Sequence, residues 1–586
     1  MPFDAFVLKA VSREIEEEIL VKKARVNKVT QLNKTDLLLN FRGETPVDSL
    51  FISIHPEYSR INLTKRVYAR PKSPPAFCML LRKHLTGGTL ISLRQPPLER
   101  VLYLVFSVTN EYGMLVQKTL VVEIMGRYSN LVLLDAPDQE QKQVILGAIK
   151  HIPPSLNRFR TILPKHVYYP PPLQDKLHPY ALDFAYFKQL IIDQEGQPAS
   201  KVLLDNIRGL NPFLAREVSL RAKSEKATAS AAPLLWEKLQ EVLRVYQENS
   251  WEPTLIYGKD KYPQDYAAIR PIQGDPDHLQ AYGSMSQLLD YFYEYKGKKQ
   301  QRNTLFSFLT NHLQQAHKKA AKKERIQTAE LQKAQTATHD RLCGELILLN
   351  LKEIPAGAKE ICLENIYQEG EKIRIVLDPR LSPSANAQRY FKKYRKAQQG
   401  IKKINKQLEQ TRNEIKYIES VIFSLEKADL QTLQEIRVEL EETGFLPVNK
   451  KPAPPGKAIS FKPLQFFATE GERIYVGQNN RENEYLSLRF ADKEDLWLHV
   501  KDIPGSHVIV RSEAPSQNTI LEAALLAAYF SRGARSSNVA VDYTKIKHVK
   551  RHPGGKPGMV TYSNYRTIYV TPEEKALQHL LKTGKR

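Results

Sequence analysis

Between residues 401 and 425, Ile401, Ile404, Leu408, Thr411, Ile415, Ile418, Ile422 and Leu425 recur at alternating steps of three and four. This is the a/d seam of a coiled coil, with Lys, Glu and Gln on the other positions, and such a stripe needs a second helix to cover it. The partner is expected at about 286 to 341, where Leu305, Leu309, Leu313, Ala316 and Ala320 begin a weaker seam. Residues 343–385 read as a small β-containing cap, closed by 377–393, so the two helices form an antiparallel arm. An arm of ~40 helical residues projects roughly 60 Å at 1.5 Å per residue. With 586 residues, the chain has room for several domains around it.

Ahead of the arm, residues 1–172 read as an α+β domain. The opening helix carries Leu8, Val11, Ile15 and Ile19 on one face. Strand-like runs follow at 26–32, 37–41, 50–54, 101–108, 115–124 and 131–134, interrupted by a helix near 77–85. The expected packing is a sandwich or a curved sheet, ended by the stiff Tyr168-Tyr-Pro-Pro-Pro172 segment. Residues 173–272 read as helical and polar. Within them 207–218 resembles a helix-hairpin-helix turn, whose backbone N–H groups commonly meet a phosphate. Asn211 stands where a second glycine would strengthen that signal, and a hairpin used only for packing is the alternative. The arm and its cap take 273–445, and a last domain is expected at 455–575.

In that last domain, residues 495–511 alternate polar and apolar side chains and then turn through Pro504-Gly505-Ser506-His507. An exposed turn of this kind offers N–H groups, the Ser506 hydroxyl, two imidazoles and Lys501 to a phosphate backbone. Thr519-Ile-Leu-Glu522 reads as a capping box opening an Ala- and Leu-rich helix that ends near Gly533. A basic loop follows, with Lys545, Lys547, His548, Lys550, Arg551, His552 and Lys556. Its glycines and prolines argue against regular structure, and Tyr543, Tyr562 and Tyr565 flank it with stacking surfaces. RNA contact is the reading favoured over a merely solvated loop.

Composition agrees: Lys plus Arg number 87 against 64 Asp plus Glu, a net charge of +23 that favours a polyanionic partner. No apolar run approaches the ~20 residues of a spanning helix, and Asp4 stands where a signal peptide would be basic. The expectation is a cytoplasmic protein without a membrane partner. Cys78, Cys343 and Cys362 are scattered in apolar contexts, which fits reduced core thiols rather than disulfides or zinc. No Walker A loop or metal-ligand cluster is present, so no cofactor, metal or catalytic residue is expected.

From Gly477-Gln-Asn-Asn-Arg-Glu-Asn483 through 504–507 to the basic loop, the chain resembles the RNA-binding NFACT-R domain. That domain belongs to the NFACT family of RqcH-type ribosome-quality-control factors, also known as fibronectin-binding protein A-like. Leu98-Glu99-Arg100 and 123–131 resemble the family's N-terminal signatures, with Glu99 where Asp is usual. The resemblance implies tRNA contact by Asp4, Glu99, Arg100 and Arg127, and RNA or ribosome contact by Lys501, Ser506, His507, Lys545, Lys547, Lys550 and Arg551. It implies partners too: the large ribosomal subunit with its 23S rRNA, a tRNA (alanyl-tRNA in bacterial members) and the peptidyl-tRNA-linked nascent chain, which would gain untemplated alanine tails. Peptide bonds would form in the ribosome's own peptidyl-transferase centre, making the protein a binding factor rather than an enzyme.

Two alternatives accompany this reading. The family's N-terminal fold is similar to DNA glycosylases that use an amino-terminal proline as nucleophile, here Pro2, but Phe3 follows it and no four-cysteine zinc finger is present. The second alternative is a fibronectin-binding surface adhesin, against which the absence of a signal peptide, anchor motif or transmembrane segment weighs.

Overall fold

The computed structural model describes residues 3–69, 71–368, 370–447 and 463–584, with the side chains of 574 and 575 aside. Pro2 lies outside the described residues. The chain divides into two compact units, 1–297 and 298–586. Together they make a mixed α/β, multidomain protein with long helices and antiparallel sheets.

In the first unit, α1 (Ala5–Ile15) leads into a wider turn, 16–20, and its expected face is fully covered: Leu8, Val11, Ile15 and Ile19 have no exposed surface. Next come β1 (Arg25–Gln31), β2 (Asp36–Arg42), β3 (Ser49–Ser53), β4 (Arg60–Thr64), α2 (Ala76–Leu85), β5 (Thr89–Arg94), β6 (Val101–Thr109), β7 (Leu115–Glu123), β8 (Asn130–Leu134) and β9 (Ile145–Ala148). The nine strands form one antiparallel sheet, ordered β4-β3-β2-β1-β5-β6-β7-β8-β9, and not a two-sheet sandwich. Gly147 lets β9 lie against α2, because a Cβ there would stand 2.4 Å from Leu80 Cδ2. At the end of β7 the buried Glu123 is held by the Arg160 guanidinium and by the Tyr168 hydroxyl, which donates at 2.9 Å.

Four helices follow: α3 (Phe184–Asp193), α4 (Ala199–Asn206), α5 (Pro212–Arg221) and α6 (Ala232–Glu248). The helical expectation for 173–272 fails beyond them. Here β10 (Thr254–Tyr257), β11 (Pro263–Ala267) and β12 (Leu279–Ala281) make a three-stranded antiparallel sheet. One core joins α1, the sheet, these helices and residues 285–293 of α7 (Met285–Gln335).

In the second unit, the later part of α7 and α8 (Thr338–Leu349) precede the hairpin β13 (Glu360–Glu364) and β14 (Lys372–Val376), then α9 (Pro383–Glu426) and α10 (Leu430–Glu442). Helices α7 and α9 run antiparallel: Arg412 pairs with Glu324 at 2.9 Å, His317 with Glu419 at 3.3 Å, and Arg302 Nε donates to the Ala428 carbonyl at 2.9 Å. Leu408, Thr411, Ile418 and Leu425 are buried as the seam requires, whereas Ile401 and Ile404 are half-buried. Tyr417 and Val421 are buried too, because α10 folds back and adds Leu433, Ile436 and Leu440 to the same core. Ile418 has no exposed surface, so Ile418→Lys is expected to cost about 4 kcal/mol or more in denaturant unfolding, far beyond Ile404→Lys. Equal costs at the two positions would place the seam elsewhere.

The rest of this unit comprises β15 (Leu464–Phe467), β16 (Arg473–Val476), α11 (Asn480–Tyr485), β17 (Leu496–Val500), β18 (Val508–Val510), α12 (Gln517–Tyr529), β19 (Val539–Lys545), β20 (Val549–Arg551), β21 (Val560–Tyr562), β22 (Arg566–Val570) and α13 (Glu574–Thr583). Six strands pair in the order β15-β16-β18-β17-β19-β22. Both faces of β17 are covered: Leu496, Leu498 and Val500 pack with α12 and α13, and Trp497 packs with Leu486, Ile509, Ile546 and Val549. Three expectations need correction. Helix α12 is capped by Ser516, which accepts from Thr519 N–H at 3.1 Å, and it ends at Tyr529; Glu522 instead accepts from Thr469 N–H at 2.9 Å. The basic loop is ordered, since β20 and β21 pair as an antiparallel hairpin. Cys362 is exposed on β13, whereas Cys78 and Cys343 are core thiols.

Candidate nucleic-acid interface

In the first unit, a cleft of about 270 Å³ brings together Asp4, Glu99, Arg100, Lys176, Arg208 and Asn211. It is built by two helix ends meeting. Asp4 caps α1, accepting from Val7 N–H at 2.9 Å, and Asn211 caps α5, accepting from Leu214 N–H at 2.7 Å. The spare amide N–H of Asn211 donates to the other Asp4 oxygen at 2.7 Å, tying the two caps together. Two positive helix termini therefore open on one cleft that also holds Arg100 and Arg208, an arrangement that favours an anion. Gly209, at φ +85°, seats the α4–α5 turn against the 98–100 loop: a Cβ there would lie 2.7 Å from Leu98 Cβ. Leu98 is itself left-handed at φ 59°, its N–H donating to the Tyr246 hydroxyl at 3.1 Å.

Burial sets the charges in this cleft. It pushes the Asp4 carboxyl up to about 6 against the pull of helix N–H groups and Arg100. It raises Glu99 as well, opposed by Arg208 and Arg100, and lowers Arg100, opposed by Asp4 and Glu99. Asp4 is buried with both oxygens engaged, so it is not the exposed charge expected from the sequence. Arg127 stands outside the cleft lining, exposed and folded over Tyr128, whose hydroxyl accepts from its Nη2 at 2.6 Å. Other signature residues are structural: the Ser129 hydroxyl accepts from Met125 N–H at 2.8 Å, and Asn130 Nδ2 donates to the Lys150 carbonyl at 2.9 Å. Sequence reading missed Arg208 and Lys176, although the 207–218 turn already pointed to that loop.

In the second unit, Lys547, Lys550 and Arg551 are exposed on or beside the β20–β21 hairpin. Lys545 and Lys547 share Glu494, at 2.6 and 2.9 Å, holding its carboxyl down to about 2, and Arg551 pairs with Glu484 at 3.1 Å. Lys501 is exposed and lies 5.8 Å from the Tyr565 ring. The 504–507 turn does not offer the exposed groups expected of it. Ser506 is buried and its N–H donates to the Phe530 carbonyl at 3.0 Å; His507 is buried, its N–H donating to Asn483 Oδ1 at 3.0 Å.

The 477–483 signature is a clamp. Asn479 Nδ2 donates to Glu435 at 3.0 Å, and Asn480 Nδ2 to the Ser420 hydroxyl at 3.0 Å and to Glu439 at 3.3 Å. Glu439 is buried and also accepts from the Tyr417 hydroxyl at 2.7 Å, and burial pushes its carboxyl up to about 7. From the hairpin turn, Lys556 Nζ lies 3.6 Å from the Phe445 ring centroid, and Gly558 at φ +80° packs on Asn480, where a Cβ would be 2.9 Å from the Asn480 Cβ. The basic hairpin is thereby fastened to α9 and α10.

Residues 4–457 match the family description NFACT N-terminal and middle domains, and 462–564 match NFACT protein RNA binding domain. The chain belongs to the NFACT family. Among NFACT relatives it is 37% identical over the full length of both chains to the Rqc2 homolog RqcH of Bacillus subtilis. It is 35% identical to the RqcH of Streptococcus suis, covering 99% of this chain and all of that one. A solved structure, the C-terminal part of a fibronectin/fibrinogen-binding protein from Streptococcus suis, is 34% identical over 48% of this chain and 98% of its own, with a TM-score of 0.38. Among the described residues no helix is long and apolar enough to cross a membrane, and no group of three or more His, Cys, Asp or Glu is placed to hold a metal ion.

Proposed function

We propose that the protein is a ribosome-quality-control factor of the RqcH type, acting in the cytoplasm. It binds large ribosomal subunits obstructed by peptidyl-tRNA through 23S rRNA and brings in alanyl-tRNA, so that alanine tails mark the stalled chain. Peptide bonds form in the ribosomal peptidyl-transferase centre. The observation that carries this reading is the cleft where two helix N-termini meet Arg100 and Arg208, a site for the tRNA backbone in a chain that also carries an RNA-binding domain. Arg100 and Arg208 contact the tRNA, Glu99 tunes them, and Asp4 positions the two helix ends. The α4–α5 turn serves as a helix-hairpin-helix element on the glycosylase-like N-terminal fold. Arg127, outside the cleft, meets the tRNA at a separate point.

In the RNA-binding domain, Lys501, Lys545, Lys547, Lys550 and Arg551 hold the ribosomal phosphates, and Ser506 and His507 shape the surface from beneath. Replacing Lys547, Lys550 and Arg551 together with Ala is expected to weaken cosedimentation with large subunits. The slope of log affinity against log salt should flatten by about 2, at roughly 0.7 per lost phosphate contact. An unchanged slope, or a cell-surface pool that binds fibronectin, would overturn this assignment.

A further inference from the structure

A cavity of about 310 Å³ lies within the second unit, with Asn413 and Tyr417 of α9 on one side and Trp497, His499, His507 and Tyr562 on the other. That is the lower edge of the roughly 300–1,000 Å³ range of ligand pockets, and suits one flat heterocycle. Its walls are rings. Trp497 and Tyr562 have centroids 4.8 Å apart, Trp497 lies nearly parallel to His499 at 5.8 Å, and His499 meets His507 edge-on at 5.3 Å. Tyr562 and His499 are only half-buried, so each keeps some face accessible, while Trp497 backs them from the core.

The rings are neutral. Burial pulls His499 down to about 4, burial and the neighbouring His499 hold His507 well below the ordinary imidazole value, and burial together with Asp542 keeps the Tyr562 phenol protonated. The His507 ring is held from the core: Trp497 Nε1 donates to Ser487 Oγ at 3.1 Å, and Ser487 Oγ and His507 Nδ1 share a hydrogen bond at 2.7 Å. Cations stand at the border: Lys416 lines the cavity, and Lys501 reaches over Tyr565, whose ring is 5.2 Å from that of Tyr562. The lining also carries Glu419 and Asp502, so the rings suit a base within and its phosphates on the side of Lys416 and Lys501.

We infer that this cavity receives one unpaired RNA base, stacked against Tyr562 and His499 and hydrogen-bonded by polar atoms of the walls, Asn413 and Asn480 among them. The inference rests on the RNA-binding reading of this domain and specifies what it grips. The test measures binding of the full-length protein to a short single-stranded RNA and to copies in which an abasic linker replaces one base at successive positions. One position is expected to weaken binding about tenfold or more when its base is removed. Asn413→Trp fills the cavity from the half-exposed face of α9; it should lower the affinity for intact RNA to the abasic level and abolish the base dependence. Tyr562→Ala should act in the same direction, with thermal unfolding confirming that both variants are folded. If every abasic RNA binds like the intact one, or if Asn413→Trp keeps the full dependence, the base site is refuted while RNA binding stands. Salt-insensitive or absent binding by the unaltered protein would instead overturn the RNA-binding reading beneath it.

Discussion

Arg100→Ala is expected to leave the protein folded and bound to large subunits while alanine tails vanish from stalled nascent polypeptides. The guanidinium lines the cleft between the caps of α1 and α5, and it is the cation opposing both Asp4 and Glu99. Losing a charged hydrogen-bonding group of this kind should weaken tRNA binding by roughly ten- to a hundredfold, or 1.5–3 kcal/mol. Folding should survive, because Asp4 caps α1 through a hydrogen bond that does not involve Arg100. Without Arg100 the Asp4 carboxyl, already held near 6 by burial, should rise further, so the variant's cleft should lose the Asp4 charge at a higher pH than the unaltered cleft. Mass spectrometry of the carboxyl termini of stalled polypeptides, with tRNA copurification alongside, reads the outcome. Normal tails would show that the cleft does not hold the tRNA.

Arg160→Ala should cause a large stability loss in the first unit, about 3–5 kcal/mol, because it strands the inaccessible Glu123 carboxylate beside Tyr168. The cost comes from the uncompensated charge and not from the lost contact alone. Replacing the pair together, Glu123→Leu with Arg160→Met, should therefore recover most of the stability. Denaturant unfolding of the three variants decides it: a small loss for Arg160→Ala alone would mean that water reaches Glu123.

Long periodic features were legible in the sequence. The α9 seam and the buried face of α1 follow from repeats that packing simply completes, and the family signatures identified both ends of the chain. Features decided by distant partners were not. Tyr417 and Val421 look like flanking positions until α10 folds over them. Ser516 and Thr519 both look like caps, and the choice turns on Glu522 being held by Thr469, 53 residues away. The 504–507 turn reads as exposed because its cover, Asn483 and Phe530, lies elsewhere in the sequence. Strand β4 was missed because its central Asn62 breaks the apolar pattern, yet Asn62 is fully buried, donating to Asp290 at 2.9 Å.

The clamp of Asn480 on Ser420 also has a mechanical meaning. Ser420 lies near one end of α9, and Asn386, which holds the β13–β14 cap by accepting from Asp378 N–H at 2.8 Å, lies near the other. The 34 steps from Asn386 to Ser420 span about 50 Å at 1.5 Å per residue. The RNA-binding domain and the cap are thus attached to one helix at points set apart by its length, so their spacing is written in the number of residues between them, and an insertion or deletion in that stretch of α9 would change it by 1.5 Å per residue.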